Sequence, residues 1–213
     1  MTRFPHRTIV PGAAGLAVAL ASGLAGTAAT QSEGSQTFTL DQAAYLSPIA
    51  GTSGGNPFVL ACPAGQVMVG VTGKRVAPVM TVGPLCSLTP VDSVVGFPHA
   101  TSAAGTGTGF PYTLLCGSQQ VMVGLELTYT SWVDVVRIYC RPWANQRWSG
   151  AETAVGPAGK TMLSASPTTR TYRCTRAEQP VVALRGRASV RVNALGITCD
   201  EPNGATMISA PPK

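Results

Sequence analysis

The sequence predicts an all-β domain in which three small antiparallel sheets, one per internal repeat, close around a pseudo-threefold axis as a β-prism. Three observations predict it. A cysteine, a short apolar strand and a second cysteine recur three times at nearly constant spacing, apolar residues in those strands alternate with a period of two, and no sustained period of 3.6 follows the N-terminal segment. Helix is expected to be nearly absent.

Residues 1–29 read as a cleavable targeting segment. Arg3 and Arg7 supply a basic start, Ala13 to Ala25 is a short Ala/Leu/Val run, and Gly26, Thr27, Ala28 and Ala29 offer small residues to a signal peptidase. The run is too short and too rich in alanine and glycine to span ~30 Å of hydrocarbon, and no later stretch reaches spanning length. The remainder, 30–213, reads as one secreted β domain with repeats at about 48–92, 97–143 and 156–202.

Within the repeats, CPAGQVMVGV from Cys62 and CGSQQVMVGL from Cys116 match position by position. The third copy, CTRAEQPVVAL from Cys174, needs one extra residue before Pro180, and that shift also aligns VMTVGPLC, VDVVRIYC and VNALGITC. Six cysteines in an exported chain form three disulfides, and of fifteen formal pairings only pairing within each copy respects the repeat: Cys62 with Cys86, Cys116 with Cys140, Cys174 with Cys199. With no CxxC pair, and with His99 the one histidine after the targeting segment, no metal or cofactor is expected.

Alternation in VMVGV and VMVGL places Val67, Val69 and Val71, and likewise Val121, Val123 and Leu125, on one face against a core. In the closing strands the equivalent alternate places are Val82, Pro84 and Cys86, then Val136, Ile138 and Cys140, then Leu195, Ile197 and Cys199, which puts the disulfides beside the core. Pro84 lacks a backbone donor and marks an edge or a bulge. Glycine-rich or small-residue stretches, GTSGGNPFVLAC and GTGTGFPYTLLC, lead into the first two copies and SASPTTRTYRC into the third, so a unit of about 55 residues holds up to four strands. A β-trefoil is the alternative threefold all-β fold. Its repeats are shorter, and its Gln-x-Trp signature is missing here.

The unit of Cys62, Pro63, Gly65, Gly70 and Cys86, echoed by Cys116, Gly124 and Cys140, resembles the repeat of the vitelline membrane outer layer protein family over Gly51 to about Pro202. The resemblance implies a secreted, disulfide-bonded threefold β-prism related in architecture to jacalin-type lectins. That family's Asp-Asp-Thr-Ala run is reduced to Asp134 in the second copy, with Met80 and Asn193 at the equivalent places. The monocot-lectin pattern Gln-x-Asp-x-Asn-x-Val-x-Tyr is absent.

Net charge falls from +6 to about +4 without Arg3 and Arg7, and Arg170, Arg173, Arg176, Arg185, Arg187 and Arg191 concentrate in the third copy. They mark either an ordinary soluble surface or one face of positive potential. No nucleic-acid motif is present, and no nucleic-acid partner is expected. Catalytic candidates are sparse: His99 sits in a loop, and nothing in the settings of Asp92, Glu126, Asp134 and Glu152 singles out an acid/base pair, so the chain reads as a non-enzyme. Aromatic residues cluster instead. Tyr129 and Trp132 flank the turn holding Asp134, and Trp143 and Trp148 follow Cys140; each tryptophan either seals an end of the prism or stands exposed for binding.

These features point to a secreted binding module for carbohydrate or a glycan-bearing extracellular surface, with Tyr129, Trp132 and Asp134 as its candidate ligand residues. The alternatives are a structural or protective extracellular protein without a small ligand, or a hydrolase or hydrolase inhibitor.

Overall fold

The computed structural model describes residues 44–88, 98–160 and 166–202. Residues 1–29, expected to be a targeting segment, and Asp92 lie outside them. Every regular element among the described residues is a strand, and no helix there is long and apolar enough to cross a membrane. The first copy supplies β1 (Tyr45–Leu46), β2 (Ala50–Gly51), β3 (Asn56–Ala61), β4 (Gln66–Arg75) and β5 (Val79–Leu88). The second supplies β6 (His99–Ala100), β7 (Phe110–Leu115), β8 (Gln120–Tyr129), β9 (Val133–Ala144) and β10 (Arg147–Trp148). The third supplies β11 (Thr153–Gly159), β12 (Thr168–Arg173), β13 (Val181–Ala188) and β14 (Val192–Cys199).

Three antiparallel sheets form, and each is a Greek key. In the first, β4 and β5 make a hairpin, β6 lies beside β5, and β7 returns beside β4. The second repeats this with the β8–β9 hairpin, β11 beside β9 and β12 beside β8. The third pairs the β13–β14 hairpin with β1 and β2 on one side and β3 on the other, so the first strands of the domain complete the last sheet. Three sheets answer to three repeats. Each takes its hairpin from one copy and its flanking strands from the next.

The exchange is fixed by a feature that all three copies share. Met68 pairs with Cys86 and Gly70 with Leu85, leaving Val69 as the extra residue of a bulge; Val123 and Val182 are extra at the equivalent places. Each bulged residue turns its carbonyl outward to accept the N–H of the next copy's first cysteine: Cys116 to Val69 at 2.9 Å, Cys174 to Val123 at 2.8 Å and Cys62 to Val182 at 2.9 Å. The three disulfides are those expected, Cys62–Cys86, Cys116–Cys140 and Cys174–Cys199. Because the first cysteine of each copy ends a strand of one sheet while the second lies in the adjoining sheet, each bond staples two sheets, and together they close the ring.

The shared core holds four equivalent positions from each copy: Met68, Val71, Val79 and Val82; Met122, Leu125, Val133 and Val136; Val181, Leu184, Val192 and Leu195. Ile138, Cys140, Ile197 and Cys199 join it, as their alternation requires. The bulge corrects the expected facing of the preceding strand. It reverses the alternation, so Val67, Val69, Val121 and Val123 leave the shared core and pack with Leu85 under Trp143 in a second cluster. Pro84 falls between the pairings of Leu85 with Ala100 and Val82 with Ala104, where the outer ladder is interrupted.

Trp143 is 4 % exposed and serves as a plug. The β9–β10 hairpin places it there: Asn145 and Gln146 both take positive φ, 51° and 59°, as a two-residue turn of the primed type, and Trp148 pairs with Trp143 across it. Trp148 is half-buried, with the Arg141 guanidinium 4.5 Å from its ring centre.

Replacing Cys116 and Cys140 together by alanine is expected to lower unfolding free energy by about 3 kcal/mol, read from urea titration, since the lost cross-link closes a loop of this length. Val123→Asp is expected to cost several kcal/mol by the same measurement, because it puts an unpaired carboxylate beneath Trp143.

Candidate binding site at the turn end of the prism

The three hairpins turn at one end of the molecule with the same geometry. Val76 donates its N–H to the carbonyl of Pro78, Thr130 to Trp132 and Ser189 to Arg191, at 3.2, 3.0 and 2.9 Å. Below each turn an Ala-Gly corner of an outer strand crosses: Ala50-Gly51, Ala104-Gly105 and Ala158-Gly159, the alanines buried and the glycines at φ of 130°, 90° and 95°. A side chain on these glycines would collide with the carbonyls of Asn193, Met80 and Asp134, so the close crossing admits only glycine. The residue after the glycine, or one close behind it, then reaches a turn of a different sheet. Thr52 Oγ donates to the Ser131 carbonyl at 3.0 Å, Gly107 N–H to Val190 at 2.8 Å and Lys160 N–H to Ala77 at 2.8 Å. Three loops and three turns are thereby interlocked.

The structure separates the three residues that the sequence grouped. Trp132 stands at the tip of its turn, half-buried, with the Arg191 guanidinium 4.1 Å from its ring centre in a cation–π contact. Tyr129 lies half-buried against the shared core. Asp134 is 0 % exposed, and neither carboxylate oxygen has a hydrogen-bond partner among the described residues. Its equivalents Met80 and Asn193 are also covered, because this position points under the turn rather than out of it. Burial pushes the Asp134 carboxyl above the usual carboxylate range, while the Thr130 hydroxyl and N–H, close without completing a hydrogen bond, pull it partly back. Asp134 is thus a floor residue of the turn. The expected exposed pairing of Asp134 with Trp132 is not what the structure shows.

The other singled-out groups are dispersed. Glu126 accepts from Tyr139 at 2.6 Å and from Arg137 at 3.1 Å on the outer face of its sheet, and Glu152 takes a two-pronged bond from Arg173 at 2.8 and 3.0 Å. His99 is exposed on β6, opposite Cys86. Of the third-copy arginines, Arg187 donates to the carbonyls of Gly54 and Gly55, Arg173 is ion-paired and lies over Tyr139, and Arg191 covers Trp132. These contacts hold Arg173, Arg187 and Arg191 in separate places rather than as one anion site.

Sequence reasoning named Arg191, Asn193 and the Thr52 to Gly55 stretch without bringing them to one place; the Asn193 carbonyl accepts the Thr52 N–H at 3.0 Å and its Oδ1 accepts from Ser189 Oγ at 3.2 Å. A signal was available: Ala-Gly recurs at even spacing near the start of all three copies, at residues 50–51, 104–105 and 158–159.

This architecture is that of known lectins. A Malaysian banana lectin superposes with a TM-score of 0.52 at 15 % identity, over 75 % of this chain and 99 % of its own. Artocarpin, described as a lectin with mannose specificity, gives 0.52 at 12 % identity over 73 % and 97 %. A mannose-binding jacalin-related lectin from Ananas comosus gives 0.51 at 16 % identity over 74 % and 98 %. No family model and no curated protein matches the chain, so the resemblance to vitelline membrane outer layer proteins holds at the level of the prism and not of the family. The fold is a β-prism of the jacalin-related type.

The buried Asp134 carboxylate generates a pH dependence whose sign is fixed. Its raised pKa penalises the folded state at pH values above that pKa, and the penalty is relieved as pH falls towards the ordinary value of ~3.9, below which folded and unfolded chains are both protonated. Asp134→Asn is therefore expected to raise the melting temperature by a few degrees at pH 7 and to give a smaller difference from the parent at pH 4, followed by calorimetry.

Proposed function

We propose that this chain is an extracellular carbohydrate-binding module whose site is the turn end of the prism around Trp132. The observation that carries the reading is the meeting there of a half-buried tryptophan, stacked by Arg191, with the Thr52 to Gly55 loop held against its turn. An aromatic face beside fixed polar groups is the combination a pyranose ring uses, its C–H face on the indole and its hydroxyls on the polar rim. In this reading Trp132 is the stacking residue, Arg191 fixes its orientation and offers donors, and Tyr129 and Asp134 support the turn from below. The shared fold with mannose-binding lectins favours a hexose ligand. The three disulfides suit an oxidising extracellular setting, and residues 1–29 would direct export.

A glycan array probed with residues 30–213 is expected to show binding, with mannose-bearing glycans the first class to inspect. Trp132→Ala is expected to weaken the best interaction at least tenfold while moving the melting temperature little. If Trp132→Ala instead unfolds the domain and the parent binds no glycan, the tryptophan is a second plug and the protein is structural.

A further inference from the structure

Register partners across the exchanged strands show how the threefold pattern is broken. Gly73 lies opposite Tyr112, Gly186 opposite Phe58, and Leu127 opposite Arg170. Where the inner strand has glycine, the neighbouring copy's aromatic ring fills the space: a side chain at Gly73 would meet Tyr112, and one at Gly186 would meet Phe58. Tyr112 is buried and its hydroxyl donates to the Thr81 carbonyl at 3.1 Å, sealing its seam. Phe58 has no hydroxyl to anchor it, and its ring is only partly buried against the core.

The seam beside Phe58 is correspondingly open. A groove of about 470 Å³ runs there, walled by Phe58 and Pro57, by Thr106 of the neighbouring loop, and by Ser189 and Val190 of the third turn, with Asn56 at its mouth. Val190 is 57 % exposed, and the side chains of Asn56 and Thr106, both exposed, make no hydrogen bond within the described residues. The groove therefore offers an aromatic ring, an apolar wall, an uncommitted amide and an uncommitted hydroxyl. Its volume lies in the range of small-ligand sites.

We propose that this groove is a second hexopyranose subsite, taking the next ring of the glycan whose first ring lies on Trp132. The assignment rests on the reading given above for Trp132. Continuity supports it, because Ser189 and Val190 wall the groove and Arg191, the next residue, covers Trp132. Phe58 receives the C–H face of the second ring, and Asn56 and Thr106 meet its hydroxyls. Among the described residues, the seams at Tyr112 and Arg170 lack this combination.

The test compares methyl α-mannoside with an α-linked mannotriose by calorimetry on residues 30–213, with the Val190 methyl signals followed by NMR. The trisaccharide is expected to bind about tenfold more tightly and to shift the Val190 methyls, whereas the monosaccharide leaves them in place. Phe58→Ala and the exposed Asn56→Ala should each reduce the trisaccharide advantage without changing monosaccharide affinity, and Phe58→Tyr should retain it. Asn56→Ala keeps the test open if Phe58→Ala does not fold. Equal affinity for both sugars, still Val190 methyls, or an unchanged advantage in Asn56→Ala overturns the second subsite while leaving the Trp132 site standing. Absence of binding to either sugar by the parent removes the Trp132 reading, and the subsite with it.

Discussion

The structure depends on one backbone hydrogen bond made three times, from the N–H of a copy's first cysteine to the carbonyl of the bulged valine in the copy before it. An ordinary ladder would leave Val69, Val123 and Val182 paired within their own hairpins. Displaced by the bulge, each presents its carbonyl to the next copy, and the strand leading into that cysteine is drawn across the seam. No sheet can then be completed without the neighbouring copy. The last sheet waits for β3 from the start of the domain, more than a hundred residues from its partner β13, so closure is the most non-local step and the ring is expected to form cooperatively. The disulfides reinforce the same joints, since each spans the two sheets that the exchange has already brought together.

This joint also decides where recognition is possible. Reversing the alternation at the bulge turns the strand ends near the cysteines to a second apolar cluster, which Trp143 and the β9–β10 hairpin cover. That end is occupied by packing. At the opposite end the three short turns are interlocked by the loops that follow the Ala-Gly corners, and Trp132, Val190 and Val76 at those turns are only partly covered. A rigid scaffold with variable residues at its turns is the usual setting for binding groups.

Much of the fold was legible because its signals are covalent or periodic. The three cysteine pairs followed from the repeat alone, and the closing strands kept their expected faces from Val136 to Cys140 and from Leu195 to Cys199. The facing of Val67, Val69, Val121 and Val123 was not legible, because a single extra residue in a strand inverts every position on one side of it and leaves the alternation in the sequence intact. Gly70 and Gly124 in the strand interior were the available hint. Asp134 illustrates the other limit. It follows the turn residues Ser131 and Trp132 by only two or three positions, yet the Ala-Gly corner that crosses below it comes from the next copy, and nothing local announces that the carboxylate will be covered.

The threefold pattern is strictest in the backbone and loosest in the side chains that face the seams. Gly73 with Tyr112, Gly186 with Phe58 and Leu127 with Arg170 are three solutions to one packing problem: two set an inner glycine against an aromatic ring, and the third buries Leu127 and turns Arg170 outward. The tyrosine solution uses its hydroxyl to lock the ring, the arginine solution places a charge at the surface, and the phenylalanine solution leaves an aromatic ring beside an open groove. Stability requires only that each seam be filled well enough for the cysteine joint to close. Once that condition is met, the remaining freedom lies in how a seam departs from its two equivalents, and such a departure marks recognition more directly than a feature all three copies share.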